Sequence, residues 1–194
     1  MRDVTLPREQ DSFRVIIATI IVLASARLSM QALLDLLQLH QEIKELVLDG
    51  LRSVIHVTGT PNGLVHAFHS PFHDFLVNPK YNKTPWFIDT ATYQGVLTRS
   101  CLERMRKGRL KQDICHLEKH TKKNQDADVQ EKVKSLPGDL VYASRYWAGH
   151  FSKSKRHDAL PALLTNFALE HLFNYIGSKY YAFLITCLRE LTPY

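Results

Sequence analysis

Leu64-Val65-His66-Ala67-Phe68-His69-Ser70-Pro71-Phe72-His73-Asp74-Phe75-Leu76 decides the reading of the fold. It follows a Thr60-Pro61-Asn62-Gly63 turn, and Asn-Gly is the strongest short hairpin signal, because type I′ turns need positive φ at both central residues. The turn therefore joins two short strands, 54–58 and 64–68, into a hairpin. Ser70 can cap and Pro71 can open a short helix immediately after the second strand. His69 thus stands where a strand meets a helix N-terminus. Free backbone N–H groups and the helix dipole favour an anion at such a point, and an imidazole can donate one more hydrogen bond to it.

Three helices are expected upstream of the hairpin. Residues 1–11 read as a polar lead-in, and Asp11 or Ser12 can cap a helix over 13–26. Its β-branched run (Val15, Ile16, Ile17, Ile20, Ile21, Val22) would suit a strand, but an unbroken stretch of this length is too long for a typical one. Ser29 caps a second helix over 30–37. A third spans 41–52, with Ile43, Leu46, Val47 and Leu51 at three- and four-residue steps on one face. Three helices and a hairpin make a winged helix at 12–77. The polar, proline-bearing stretch 78–85 reads as a linker, and a helical domain follows at 86–191, with helices at 90–107, 139–151, 159–175 and 179–191. The fold class is mainly α.

The central stretch resembles a motif of fungal NACHT proteins, NLR-like signalling NTPases of the STAND class. Their winged helix ends in a pattern close to L-L-H-P-S-F-R-D-F-L, matched here by Ala67-Phe68-His69-Ser70-Pro71-Phe72-His73-Asp74-Phe75-Leu76. Four further segments of that family have counterparts in order: Trp86-Phe87-Ile88-Asp89, Thr98 to Met105, Leu110 to Leu117, and Leu140-Val141-Tyr142-Ala143-Ser144-Arg145-Tyr146-Trp147-Ala148-Gly149-His150. The resemblance covers about 12–175. It implies non-self recognition and cell-death signalling, a winged helix docked when ADP is bound, and His69 as the contact to the ADP phosphates when a nucleotide-binding domain is present. Departures are also clear. Ser144 replaces a usual cysteine, Ser70-Pro71 reverses the usual order, and none of the eight glycines opens a G-x-x-x-x-G-K-[ST] phosphate loop. By resemblance the chain is a fragment or a degenerate gene product, with ADP or ATP implied only for the full-length family.

Charge is concentrated in one segment. Residues 99–123 hold nine Lys or Arg against three Asp or Glu, a net of +6 that equals the charge of the whole 194-residue chain. Arg104, Arg106, Lys107 and Lys111 are therefore the candidates for polyanion contact, and a stand-alone winged-helix protein binding nucleic acid is the alternative function. The third helix argues against that alternative, because Glu42, Glu45 and Asp49 outweigh Lys44 and Arg52, whereas a groove-reading helix meets phosphates with positive charge. Base stacking is not expected either, since the basic segment lacks interleaved aromatics.

No catalytic constellation emerges: there is no G-x-S-x-G elbow and no nucleophile with an evident base. His66, His69, His73 and Asp74 supply metal-ligand types. Alternation along a strand puts His66 and His69 on different faces, and Cys101, Cys115 and His116 have no zinc-ligand spacing, so no metal site is assigned. Three widely spaced cysteines suit a reducing, cytoplasmic setting. The apolar run 15–26 is shorter than the roughly 20 residues a membrane helix needs.

The first helix is apolar almost all round. Val15, Ile16, Ile20 and Leu23 can face the winged-helix core, which leaves Ile17 and Ile21 on a spare face. Two occupants are open for it: a nucleotide-binding domain or other protein partner, including self-association, and the C-terminal helices 159–191.

Overall fold

A computed structural model describes residues 7–23, 28–40, 55–57, 63–67, 70–106, 135–155 and 159–169, with 42, 43, 45, 50 and 131. The chain is mainly helical there. In order come α1 (Pro7–Val22), β1 (Leu28–Ser29), α2 (Met30–Leu37), β2 (Ile55–Val57), β3 (Leu64–Ala67), α3 (Ser70–Val77), a 3-10 turn (Pro79–Tyr81), α4 (Thr90–Arg106), α5 (Gly138–Lys153) and α6 (Ala159–Phe167). None of the described helices is long and apolar enough to cross a membrane. The expected third helix at 41–52 and a last one at 179–191 lie largely or wholly outside the described residues.

α1 starts and stops earlier than expected. Pro7 occupies its first position, where a missing N–H costs nothing, and the Leu23 N–H closes the last turn on the Thr19 carbonyl at 2.8 Å. Both of its apolar faces are covered. Ile16, Ile20 and Leu23 enter the main core, while Ala18 and Ile21 form a second cluster with Leu76 and Ile88, bordered by Ile17, Phe72, Val77 and Tyr93. Ile21 is only 2% exposed. The spare face is therefore not vacant: α3 and the segment leading into α4 fill it. Ile17 borders both clusters, and residues 170–191 of the expected C-terminal helices lie outside the described residues.

Ser29 caps α2 as expected, its Oγ accepting from the Ala32 N–H at 3.1 Å. The helix ends at Gln38 in the left-handed region (φ 55°), with the Leu39 N–H returning to the Leu34 carbonyl at 2.9 Å. The hairpin is present, and β1 adds a third strand that the sequence reading did not contain. β1 and β2 flank β3 in an all-antiparallel sheet, with Leu28 opposite Val65 and Ile55 opposite Ala67.

The stretch expected to be a linker folds back on α3. Asn78 Oδ1 accepts from the Lys80 N–H at 2.9 Å, the Phe75 and Tyr81 rings lie 4.9 Å apart, and the Ile88 N–H donates to the Leu76 carbonyl at 2.8 Å. Beyond it, α4 and α5 form the most extensively packed helix pair among the described residues. Leu97, Cys101, Leu102 and Met105 of α4 and Leu140, Tyr142 and Ala143 of α5 belong to the same buried cluster as Leu28, Met30, Leu33, Leu34 and Leu36. Residues assigned to two domains thus share one core. α1 buries one apolar face, and α4 its apolar stripe, in that shared cluster.

Candidate functional site

The expected site residues do not converge. His69, Lys107 and Lys111 lie outside the described residues. Arg106 is exposed at the end of α4. Arg104, expected to face solvent and polyanions, is only 8% exposed, and its Nε donates to a carboxylate oxygen of Asp139, itself 1% exposed. This corrects the polyanion assignment at Arg104. The position follows Leu97 by two helical turns and Cys101 by one, so it falls on the buried stripe of α4. A guanidinium there needs a buried anion, and Asp139 supplies one from the first turn of α5, where the helix dipole also favours a carboxylate.

Nearly three turns further back along α4, a second polar link joins the same two helices. His150 of α5 is 8% exposed. Its Nδ1 lies 2.6 Å from Gln94 Oε1, and its Nε2 lies 2.5 Å from the Tyr142 hydroxyl. Gln94 Oε1 can only accept, so Nδ1 carries the hydrogen, Nε2 accepts, and the Tyr142 hydroxyl donates to it. The eight-residue spacing of Tyr142 and His150 places them two turns apart on one face of α5. Gln94 also anchors α4 locally, its carbonyl accepting from Thr98 Oγ1 at 2.8 Å.

Burial sets the electrostatics here. Desolvation, aided by the charge of Lys153, lowers the His150 pKa from 6.5 to about 4, so the ring is neutral at physiological pH. Burial likewise pushes the Tyr142 phenol and the Cys101 thiol up. Both ring nitrogens of His150 are occupied by protein groups. The triad is therefore a closed hydrogen-bonded network that fixes α4 against α5, and the deprotonated thiol that nucleophilic chemistry needs is disfavoured at Cys101.

The N-terminal end of α4 is also held from outside. Asp89 Oδ2 accepts from Thr92 Oγ1 at 2.9 Å and pairs with Lys155, and the Lys155 N–H returns to the Ala91 carbonyl at 3.2 Å. The Lys155 ammonium and the Thr92 donors hold the Asp89 carboxyl below its ordinary range despite partial burial. Arg14 of α1 donates to the Phe87 carbonyl at 2.9 Å, tying this junction to the first helix. Among the described residues, no group of three or more His, Cys, Asp or Glu is placed to hold a metal ion.

Sequence reading singled out Tyr142 and His150 only as parts of a motif, and Gln94 and Asp139 not at all. A signal existed: Asp139, Ala143, Tyr146 and His150 recur at three- and four-residue steps, a polar pair threaded onto a buried stripe. Comparison with protein-family models, with curated proteins and with solved structures finds no match.

Proposed function

We propose that the chain is a non-catalytic regulatory and interaction module, a winged helix joined to a helical region, of the kind found in fungal NLR-like NACHT proteins. The observation that carries this reading is the place of the motif residues. Asp89 opens α4, Cys101, Leu102 and Met105 are its buried stripe, and Tyr142 and His150 bond to each other on α5. Residues that match by spacing are thereby residues with defined structural work. The arrangement of α1, β1, α2 and a β2–β3 hairpin, with β1 adding to the hairpin, supports the winged-helix assignment.

In this reading the module acts in the cytoplasm and docks on a nucleotide-binding domain in its ADP state. His69, between the last residue of β3 and the first of α3, meets the phosphates, and activation swings the module away as a two-state element. In this reading the nucleotide is held by the nucleotide-binding domain and the module acts by docking on it. Nucleic-acid binding is the weaker alternative, because Arg104 is committed to Asp139 and cannot serve a phosphate without leaving a buried carboxylate unpaired.

The test is a fusion of a fungal NACHT nucleotide-binding domain to the N-terminus of the full chain. The fusion is expected to retain ADP through purification, and His69→Ala to release it at least tenfold faster, about 1.4 kcal/mol of lost interaction. Equal ADP release with and without the chain overturns the reading.

A further inference from the structure

The segment that returns the chain from α3 to α4 presents aromatic rings and positive charge together. Trp86 is 66% exposed and Phe75 45% exposed, and the Phe75 ring lies 4.9 Å from that of Tyr81. Lys80 and Lys83 are exposed and are the only charged residues between Phe75 and Ile88. Neither lysine makes an ion pair among the described residues. The backbone beneath them is fixed by overlapping turns: the N–H groups of Tyr81, Asn82 and Thr84 donate to the carbonyls of Asn78, Pro79 and Tyr81 at 2.9, 3.1 and 2.8 Å. Thr84 Oγ1 adds a 2.7 Å bond to the Tyr81 carbonyl. Packing does not use Trp86, which belongs to neither buried cluster, whereas Ile88, two residues on, does. A large ring held on a fixed turn and left in water marks an interaction surface.

We propose that residues 75–86 form a peripheral docking surface for an anionic lipid bilayer. Trp86 and Phe75 enter the headgroup layer, where amphipathic rings are favoured, and the ammonium groups of Lys80 and Lys83 meet the lipid phosphates and carboxylates. Charge complementarity selects this occupant. The segment holds two cations and no carboxylate, and the acid just before it, Asp74, is bonded to His73 Nδ1 at 3.1 Å. Shape agrees with it, since a bilayer receives a convex turn and needs no groove. A single strand of nucleic acid needs successive open ring faces on which to stack, whereas Phe75 and Tyr81 are packed on each other. Each lysine near an anionic surface is worth about fivefold in affinity, so the attachment is reversible and sensitive to salt. The inference does not rest on the regulatory reading above.

Vesicles of phosphatidylcholine, with and without phosphatidylserine, test it on the full chain. The sequence has two tryptophans, and Trp147 packs against Phe167 at 5.9 Å, so Trp147→Phe leaves Trp86 as the reporter. Its emission should move to shorter wavelength with the phosphatidylserine vesicles only, and high salt should reverse the change. In the unaltered chain, brominated phosphatidylserine vesicles should quench part of the tryptophan emission, a readout that needs no substitution. In vesicle sedimentation, Lys80→Ala with Lys83→Ala should weaken binding about 25-fold and Trp86→Ser about tenfold. Arg99→Ala with Arg106→Ala, at exposed positions of α4, should weaken it less than the lysine pair does. Absence of both the emission shift and the quenching overturns the proposal, as does equal binding to vesicles without phosphatidylserine. Binding lost with the arginine pair and kept without the lysines, or Trp86 emission that answers to single-stranded RNA and not to vesicles, overturns it equally.

Discussion

Arg104 shows how far a single residue can depart from the segment it belongs to. Composition marks 99–123 as a basic surface, and Arg106 conforms by being exposed. Arg104, two residues earlier, turns inward and pairs with Asp139. Net charge describes a segment, whereas burial is decided by helical phase, and the phase was available in the Leu97, Cys101 and Met105 spacing. Replacing Arg104 by Met strands the Asp139 carboxylate in the core, a change that costs roughly 3–5 kcal/mol. Adding Asp139→Leu should restore most of that loss, since exchanging a whole buried pair for apolar groups is often neutral. Urea unfolding of the two variants measures both effects. A double variant as unstable as the single one would contradict the pairing. His150 provides a second test at this scale. Its folded pKa, about 4, lies below the ordinary 6.5. Between these values the unfolded chain binds a proton that the folded chain refuses, so stability is full above about pH 6.5 and falls as pH drops toward about 4. The Asp89 contribution is lost only at lower pH, as its depressed carboxyl protonates. The unfolding midpoint should therefore be flat from about pH 8 to 7 and decline below about pH 6.5, and His150→Gln should flatten that decline. A profile identical in the variant would contradict a neutral buried imidazole.

Among the elements, α2, α4 and α5 were legible because each couples a boundary signal to an apolar stripe. Ser29 caps the first, Asp89 opens the second, and Pro137 precedes the third. The start of α1 and the two-residue β1 were not legible. Pro7 lies in a polar stretch with no apolar period to mark it, and a strand as short as Leu28–Ser29 exists only because β3 offers an edge. The same limit applies to Ile17 and Ile21: periodicity shows that a second face of α1 is apolar, but not which later element covers it. With Leu76 and Ile88 in that role, Ile21→Ala should cost about 2–5 kcal/mol in denaturant unfolding, the range for a buried aliphatic truncation. A loss below about 0.5 kcal/mol, typical of surface substitutions, would return this face to the solvent. The end of α2 is a contrasting case. Gln38 is the one non-glycine residue with positive φ among the described residues, and its side chain donates a 3.3 Å hydrogen bond to Glu103 on the surface. Gln38→Gly relieves the left-handed strain, roughly 1–2 kcal/mol, which is at least as large as the roughly 0.5–1.5 kcal/mol of a side-chain hydrogen bond, so the thermal midpoint is expected not to fall.

At the level of the whole molecule, sequence suggests two units, and described residues from both contribute to one main buried cluster. The polar stretch 78–85 has the composition of a linker, yet its backbone returns to Leu76 and its turn rests against Phe75. Local composition reports how a segment meets water; it is silent on what lies to either side of it. The consequence for function is mechanical. α1 and α2 share their core with α4 and α5, so the two-state element proposed above is the combined unit and not the hairpin-bearing part alone. Hydrogen exchange of the native chain tests this most directly, because core amides report the free energy of the unit that must open to expose them. Amides buried in α1 and α2 (Ile16, Ile20, Leu33, Leu34) and those in α4 and α5 (Leu97, Cys101, Tyr142, Ala143) should exchange with one common opening free energy, equal to the global stability. A set in α1 and α2 that opens several kcal/mol more easily than the set in α4 and α5 would contradict the shared core.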